Sequence, residues 1–189
     1  MKITIVSPLF PPDAAFPAPY VKALSTKLAL THTVTVLAYT YLPETVQSVQ
    51  ILVIDKRQPL FRRLFAFTCA LKHELKEADV VIVQNGISTE LPALLLSYVS
   101  RTPMLLEQSD TKATTQTSTS WFKGAVSTLL AKRVSAIVDI TTGADTYAAL
   151  LPPEHYLFQS PSATALAAHK DAWERHLGRL QALFVPYEK

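Results

Sequence analysis

Six residues hold the polar chemistry that this sequence places at the ends of its apolar runs: Ser7, Asp13, Gln84, Asn85, Glu107 and Asp110. Together they can line a polar cleft. Gln84 and Asn85 bind hydroxyl groups through their amides but cannot serve as general bases near neutral pH. Glu107 and Asp110 can, if they point inward; a solvated loop position or a helix partner is the commoner fate of each carboxylate. No P-loop, no G-x-G-x-x-G, no metal-ligand spacing and no nucleophile elbow appears, so neither a metal nor a cofactor is expected. The single Cys69 rules out an internal disulfide framework and a multi-cysteine metal site. Its helical setting reads as a buried or half-exposed inert thiol.

The elements that must position these residues alternate between strand and helix. Lys2–Ser7 is rich in Ile and Val, the composition of a strand covered on both faces. A loop with prolines at 8, 11, 12, 17 and 19 follows, then Tyr20, Val21, Leu24 and Leu28 recur at helical spacing. Further strands are expected at Thr33–Leu37, Ile51–Ile54, Ala78–Val83, Pro103–Glu107, Ala136–Ile140 and His155–Phe158. Helices are expected from Pro59 to about Lys76, from Glu90 to about Tyr98 with Ser88 or Thr89 as its cap, and from Trp121 to Arg133. A capping-box spacing at Thr142–Asp145 opens another helix, to Leu150. The fold class is therefore α/β: a Rossmann-like, doubly wound, mainly parallel sheet of about seven strands with helices on both faces. In such sheets ligands bind beyond the carboxyl ends of the strands.

Composition narrows the function classes. With 189 residues, 49% hydrophobic and 17% charged, the chain has material for one sizeable core. A net charge of +3 does not indicate wholesale nucleic-acid binding, although a local basic patch stays open. A strand beginning at residue 2 leaves no room for a signal peptide, and no apolar run reaches the length of a membrane span. A cytoplasmic location is expected. Residues 109–120 carry eight Ser or Thr in twelve positions and read as a polar surface connection, or as a loop that hydrogen-bonds sugar hydroxyls.

A strand ending in Ser7-Pro8-Leu9-Phe10-Pro11-Pro12-Asp13, followed by a helix opening Ala18-Pro19-Tyr20-Val21-Lys22, resembles the start of a family-four glycosyltransferase. Those are retaining enzymes of the GT-B fold with two Rossmann-like domains, and the resemblance implies the N-terminal, acceptor-side one. The strand ending Gln84-Asn85-Gly86 resembles the family's His-x-His-Asn-Gly, with Ile82 and Gln84 at the histidine positions. Ser109-Asp110 stands where the family often has His-Asp. Ala14, Ala15 and Phe16 replace a Gly-Gly pair, and their Cβ atoms hinder the close backbone approach that glycine permits. The resemblance adds Phe16 and Tyr20 to the acceptor-binding candidates.

The family's donor-domain motifs are missing, and Ser160-Pro161-Ser162 leads directly into an amphipathic helix. Its stripe is Leu166, Trp173, Leu177, Leu180 and Phe184, similar to the tail helix that returns to the N-terminal domain in these enzymes. The expected organisation is a Rossmann-like domain over 1–160 and a returning helix over 161–189. The helix at 59–76 shows Leu60, Phe61, Leu64, Phe67, Thr68, Leu71 and Leu75 on one face. Arg62, Arg63, Lys72, His73 and Lys76 lie on the other, with Phe65 at the edge. This reads as a sheet-covering helix with a solvated basic face. As an interfacial helix, Arg62, Arg63, Phe65, Lys72 and Lys76 would meet anionic lipid at the inner membrane face. Three functions follow: an acceptor-side domain binding a sugar or lipid-linked acceptor, inert alone or working beside a donor-domain partner chain; a non-catalytic membrane-surface or interaction module; or a small enzyme using Glu107 and Asp110.

Overall fold

The computed structural model describes residues 1–15, 17–108, 121–140, 150 and 163–187. The strands are β1 (Lys2–Ser7), β2 (Thr33–Thr40), β3 (Val49–Asp55), β4 (Val80–Gln84), β5 (Met104–Gln108) and β6 (Ala136–Asp139). The helices are α1 (Ala18–Leu28), α2 (Leu60–Glu77), α3 (Ile87–Ser97), α4 (Trp121–Ala131) and α5 (Ala163–Phe184), with a 3₁₀ turn at Val185–Tyr187. The strands form one sheet in the order β3-β2-β1-β4-β5-β6, and all five described pairs are parallel. This is the expected doubly wound architecture. The loop at 109–120, the capping box at 142–145, the seventh strand at 155–158 and the junction at 160–162 lie outside the described residues.

Period-two alternation sorts the strand side chains between two apolar layers. Ile3, Ile5, Val34, Val36, Val80, Ile82 and Leu105 face α1 and α5. Val6, Leu37, Val81, Val83, Met104 and Leu106 face α2, α3 and α4. Helices on both faces are what a parallel sheet requires, since its strands are apolar on both sides. Trp173, Leu180 and Phe184 of α5 are buried in the first layer with Tyr20, Val21 and Leu24 of α1. Leu166 was expected on this stripe but is 44% exposed, because the first turns of α5 lie outside the layer.

Two local readings are corrected. In α2, Phe61 is 85% and Leu60 52% exposed; the buried set is Phe67, Leu71, Glu74 and Leu75. At 100° per residue Phe61 falls beside Phe65 and Lys72, off the buried arc. Leu60 falls on the arc, but a helix that follows β3 starts beyond the carboxyl edge of the sheet and has no strand beneath its first turn. Glu74 can be buried because Thr4 Oγ1 donates to it at 3.3 Å and Lys2 Nζ lies 3.6 Å away. In α3, neither Ser88 nor Thr89 is the cap: Gly86 holds that position without a side-chain cap bond, and Thr89 Oγ1 turns back to Gly86 O at 2.7 Å. Pro92 inside α3 lacks the N–H that would bond Ser88 O, and that carbonyl instead accepts the Tyr39 hydroxyl at 3.1 Å.

The packing of α5 yields a stability prediction. Phe184→Ala should destabilise the fold by about 3–5 kcal/mol and Leu166→Ala by less than about 1 kcal/mol, measured by urea unfolding.

Candidate functional site

The strand order reverses between β1 and β4, so the crevice for a ligand opens between the loops that follow them. These loops touch: a Cβ at Gly86 would stand 3.3 Å from Pro8 Cβ and Cγ, closer than neighbouring side chains normally approach. Beside them is a cavity of about 170 Å³ with Pro8, Leu9, Tyr39, Lys56, Arg63 and Ser88 in its wall. Among the described residues no carboxylate lines it. Lys56 Nζ is held by Asp13 Oδ1 at 2.5 Å, and Arg63 Nη1 donates to Lys56 O at 2.8 Å. The Arg63 guanidinium lies 5.9 Å from the Tyr39 ring centre, and its Nε is buried without a hydrogen-bond acceptor. Burial raises the Tyr39 hydroxyl well above its usual range, so it stays a protonated donor. With Lys56 neutralised by Asp13, Arg63 carries the charge that the crevice offers a small anionic or hydroxyl-rich group.

Three of the eight acceptor candidates meet elsewhere. The alternation that carries Val80 and Ile82 toward α1 carries Gln84 to the same face, and Leu105 does the same for Glu107. Tyr20, in the first turn of α1, donates its hydroxyl to Glu107 Oε1 at 2.9 Å. Gln84 Nε2 donates to Glu107 Oε2. From α5, His176 Nε2 lies 2.7 Å from the Tyr20 hydroxyl and 3.8 Å from Glu107 Oε1. With the phenol donating to the carboxyl, the imidazole is placed to donate to the phenol oxygen. Trp173 stacks over Tyr20 at 5.9 Å with a 13° interplanar angle. All five residues are at most 1% exposed.

This burial corrects the reading of Glu107 as a solvated group or a working base. Removal from water pushes its carboxyl up to about 7, against the opposing hydrogen bonds from Tyr20 and Gln84. A carboxyl with such a value is poised for proton chemistry, but here α1 and α5 seal it from any substrate. Tyr20 and Gln84 are sealed with it and do not face a cleft. Ser7 is buried too, its hydroxyl donating to Leu9 O at 2.6 Å. Asp13 is spent on Lys56, and Asn85, in the loop after β4, donates its backbone N–H to Glu107 O at 3.1 Å. Phe16 and Asp110 lie outside the described residues, which leaves the Glu107–Asp110 pairing without a described partner.

Of the membrane candidates, Arg62, Phe65, Lys72 and Lys76 are exposed along one side of α2. Arg63 is not one of them; it turns into the crevice. Cys69 is exposed on the same side. Sequence reasoning missed His176, although its position three residues after Trp173 and four before Leu180 marked it as part of the stripe. It also missed Tyr39 and Ser88, whose role depends on β2 running on to Thr40 and on Pro92 freeing a carbonyl. Among the described residues no three His, Cys, Asp or Glu side chains are grouped to hold a metal, and no helix is long and apolar enough to cross a membrane.

No family model and no curated protein matches the chain. Among solved structures, it is similar to a putative UDP-N-acetylglucosamine 2-epimerase from Listeria monocytogenes, with 15% identity and a TM-score of 0.50 over 76% of this chain and 40% of that one. Anabaena HepE in complex with UDP gives 15% identity and a TM-score of 0.49 over 72% and 37%. The C-terminal domain of the coenzyme A biosynthesis bifunctional protein CoaBC gives 11% identity and a TM-score of 0.48 over 95% and 96%. At these identities the likeness concerns the Rossmann-like fold alone. The chain spans about two fifths of the length of the first two proteins.

The buried carboxyl sets a pH dependence with a definite sign. A group raised from 4.5 to about 7 on folding contributes stability that is complete below 4.5 and is lost as the pH rises through 7. The stability of the wild type relative to Glu107→Gln should therefore fall as the pH is raised from 4.5 past 7, read from paired urea titrations. Tyr20→Phe, which takes one donor from the carboxyl, should cost about 1–3 kcal/mol in the same assay.

Proposed function

We propose that this chain is a glycosyltransferase-like, acceptor-side domain that holds a sugar or lipid-linked acceptor at the β1/β4 crevice and does not transfer sugar alone. The observation that carries this reading is the cavity at the strand reversal, walled by Lys56, Arg63, Tyr39 and Ser88, with no carboxylate among its described lining residues. With Lys56 paired to Asp13 and the Tyr39 hydroxyl donating to Ser88 O, the Arg63 guanidinium is the group that suits a phosphate or phosphate-linked sugar. The family-four resemblance at Ser7–Asp13 and Asn85–Gly86 falls on the two loops that form the crevice. One neighbour of the same fold, described as a putative UDP-N-acetylglucosamine 2-epimerase, supports a sugar-related role. Retaining transfer also needs cationic groups and backbone amides around a donor diphosphate. A second, donor-binding domain would supply them, from a partner chain or from a longer protein.

Calorimetry with a sugar 1-phosphate, a prenyl phosphate and UDP-sugars tests this. The two phosphates should bind, Arg63→Gln should weaken them about tenfold or more, and UDP-sugars should not bind the monomer appreciably. Tight UDP-sugar binding by the monomer would overturn the reading.

The second reading, a peripheral membrane module, draws on α2. Phe61 and Phe65, 85% and 72% exposed, stand one turn apart beside Arg62, Lys72 and Lys76. Aromatic side chains amid cations suit the headgroup boundary of anionic lipid. Vesicles containing phosphatidylglycerol should sediment the protein and pure phosphatidylcholine should not. A Phe61→Ser, Phe65→Ser double variant should stay in the supernatant with both; indifference to lipid charge would count against this face.

A further inference from the structure

We propose that a groove between α1 and α5 is a second binding site, built for a small organic anion with an apolar body. The groove encloses about 520 Å³, within the range of small-molecule sites, and shares no lining residue with the β1/β4 crevice. The Asp13–Lys56 ion pair stands between the two.

The walls dictate the apolar body. Pro11 and Pro12, Pro19 and Ala23 of α1, and Trp173 of α5 line the groove. Proline rings are stiff, so this space does not collapse as a groove of long flexible side chains would. Trp173 is fixed from below by its stack on Tyr20 and by its indole N–H, which donates to Leu150 O at 2.9 Å.

The charges dictate the anion. Among the described residues two carboxylates line the groove, and both are already neutralised: Asp13 by Lys56 at 2.5 Å and Glu44 by Lys22. Lys27 remains. Its ammonium sits 5.2 Å from the centre of the Trp173 ring and has no carboxylate partner among the described residues. After pairing, the lining therefore holds one uncompensated positive charge beside an apolar wall. His169 of α5, edge-on to Trp173 at 6.5 Å, adds a polar ring to the same rim. A body lying on the prolines with one carboxylate, sulfonate or phosphate at Lys27 satisfies both features. A nucleoside diphosphate, with two or more charges, would leave most of its charge uncompensated.

The test uses anilinonaphthalene sulfonate and its uncharged analogue N-phenyl-1-naphthylamine, in a Trp121→Phe background so that Trp173 is the sole indole donor. Energy transfer from Trp173 should saturate at one sulfonate probe per chain, and decanoate should displace it. Lys27→Gln should weaken the sulfonate probe about fivefold and leave the neutral probe unchanged. Thr26→Tyr, at an exposed lining position, should block both, and Arg63→Gln should change neither, which separates this site from the crevice. Circular dichroism melts confirm that each variant is folded. No saturable binding, or binding indifferent to both Lys27→Gln and Thr26→Tyr, would overturn the proposal. An equal loss of both probes in Lys27→Gln would overturn its anionic part.

Discussion

A parallel sheet apolar on both faces must be roofed on both, and on one face of this protein α1 shares that task with the last helix. Trp173, Leu180 and Phe184 fill the layer over β1, β4 and β5, and His176 ties the same helix to Tyr20 and Glu107. Apolar burial supplies the affinity and the polar contacts fix the register. A buried carboxyl is tolerable only when its lone pairs are met. Here Tyr20 and Gln84 meet them from two elements, and His176 closes the group from a third. Displacing α5 would expose a large apolar surface and open the Glu107 cluster to water in one step.

This arrangement divides the carboxyl edge of the sheet into two environments. On the side of α1 and α5, the strand-end polar groups are turned inward and consumed by one another. On the side of α2 and α3, Arg63, Lys56 and Tyr39 border an open crevice at the strand reversal, with Pro8 and Ser88 also in its wall. Among the described residues, the raised carboxyl of Glu107 is sealed, while the crevice presents Arg63.

The fold was readable because its signals are local. Ile and Val runs at Lys2–Ser7 and Val80–Val83, and helical spacing at Tyr20–Leu28, survive any tertiary context. The strand ends were readable as chemistry but not as geometry. Gln84, Glu107 and Tyr20 read as cleft residues, but period-two alternation alone does not say which face of the sheet is open. That depends on α5, about seventy residues further along the chain than Glu107. Phe61 was misplaced for a different reason: one hundred degrees per residue puts it at the boundary of the stripe, where a hydrophobic side chain is as compatible with solvent as with core. Arg63 was assigned to the solvated face because no pattern in α2 reveals a carbonyl at Lys56 and a ring at Tyr39 waiting for it.

Amide hydrogen exchange is the most direct measurement of whether the last helix is part of the core. If α5 roofs the sheet, amides from Ala172 to Phe184 should exchange only through the global opening that also releases β1, β4 and β5, with the same free energy and the same denaturant dependence. Fast exchange along that stretch, at rates typical of a fraying terminus while the strands stay protected, would contradict the account.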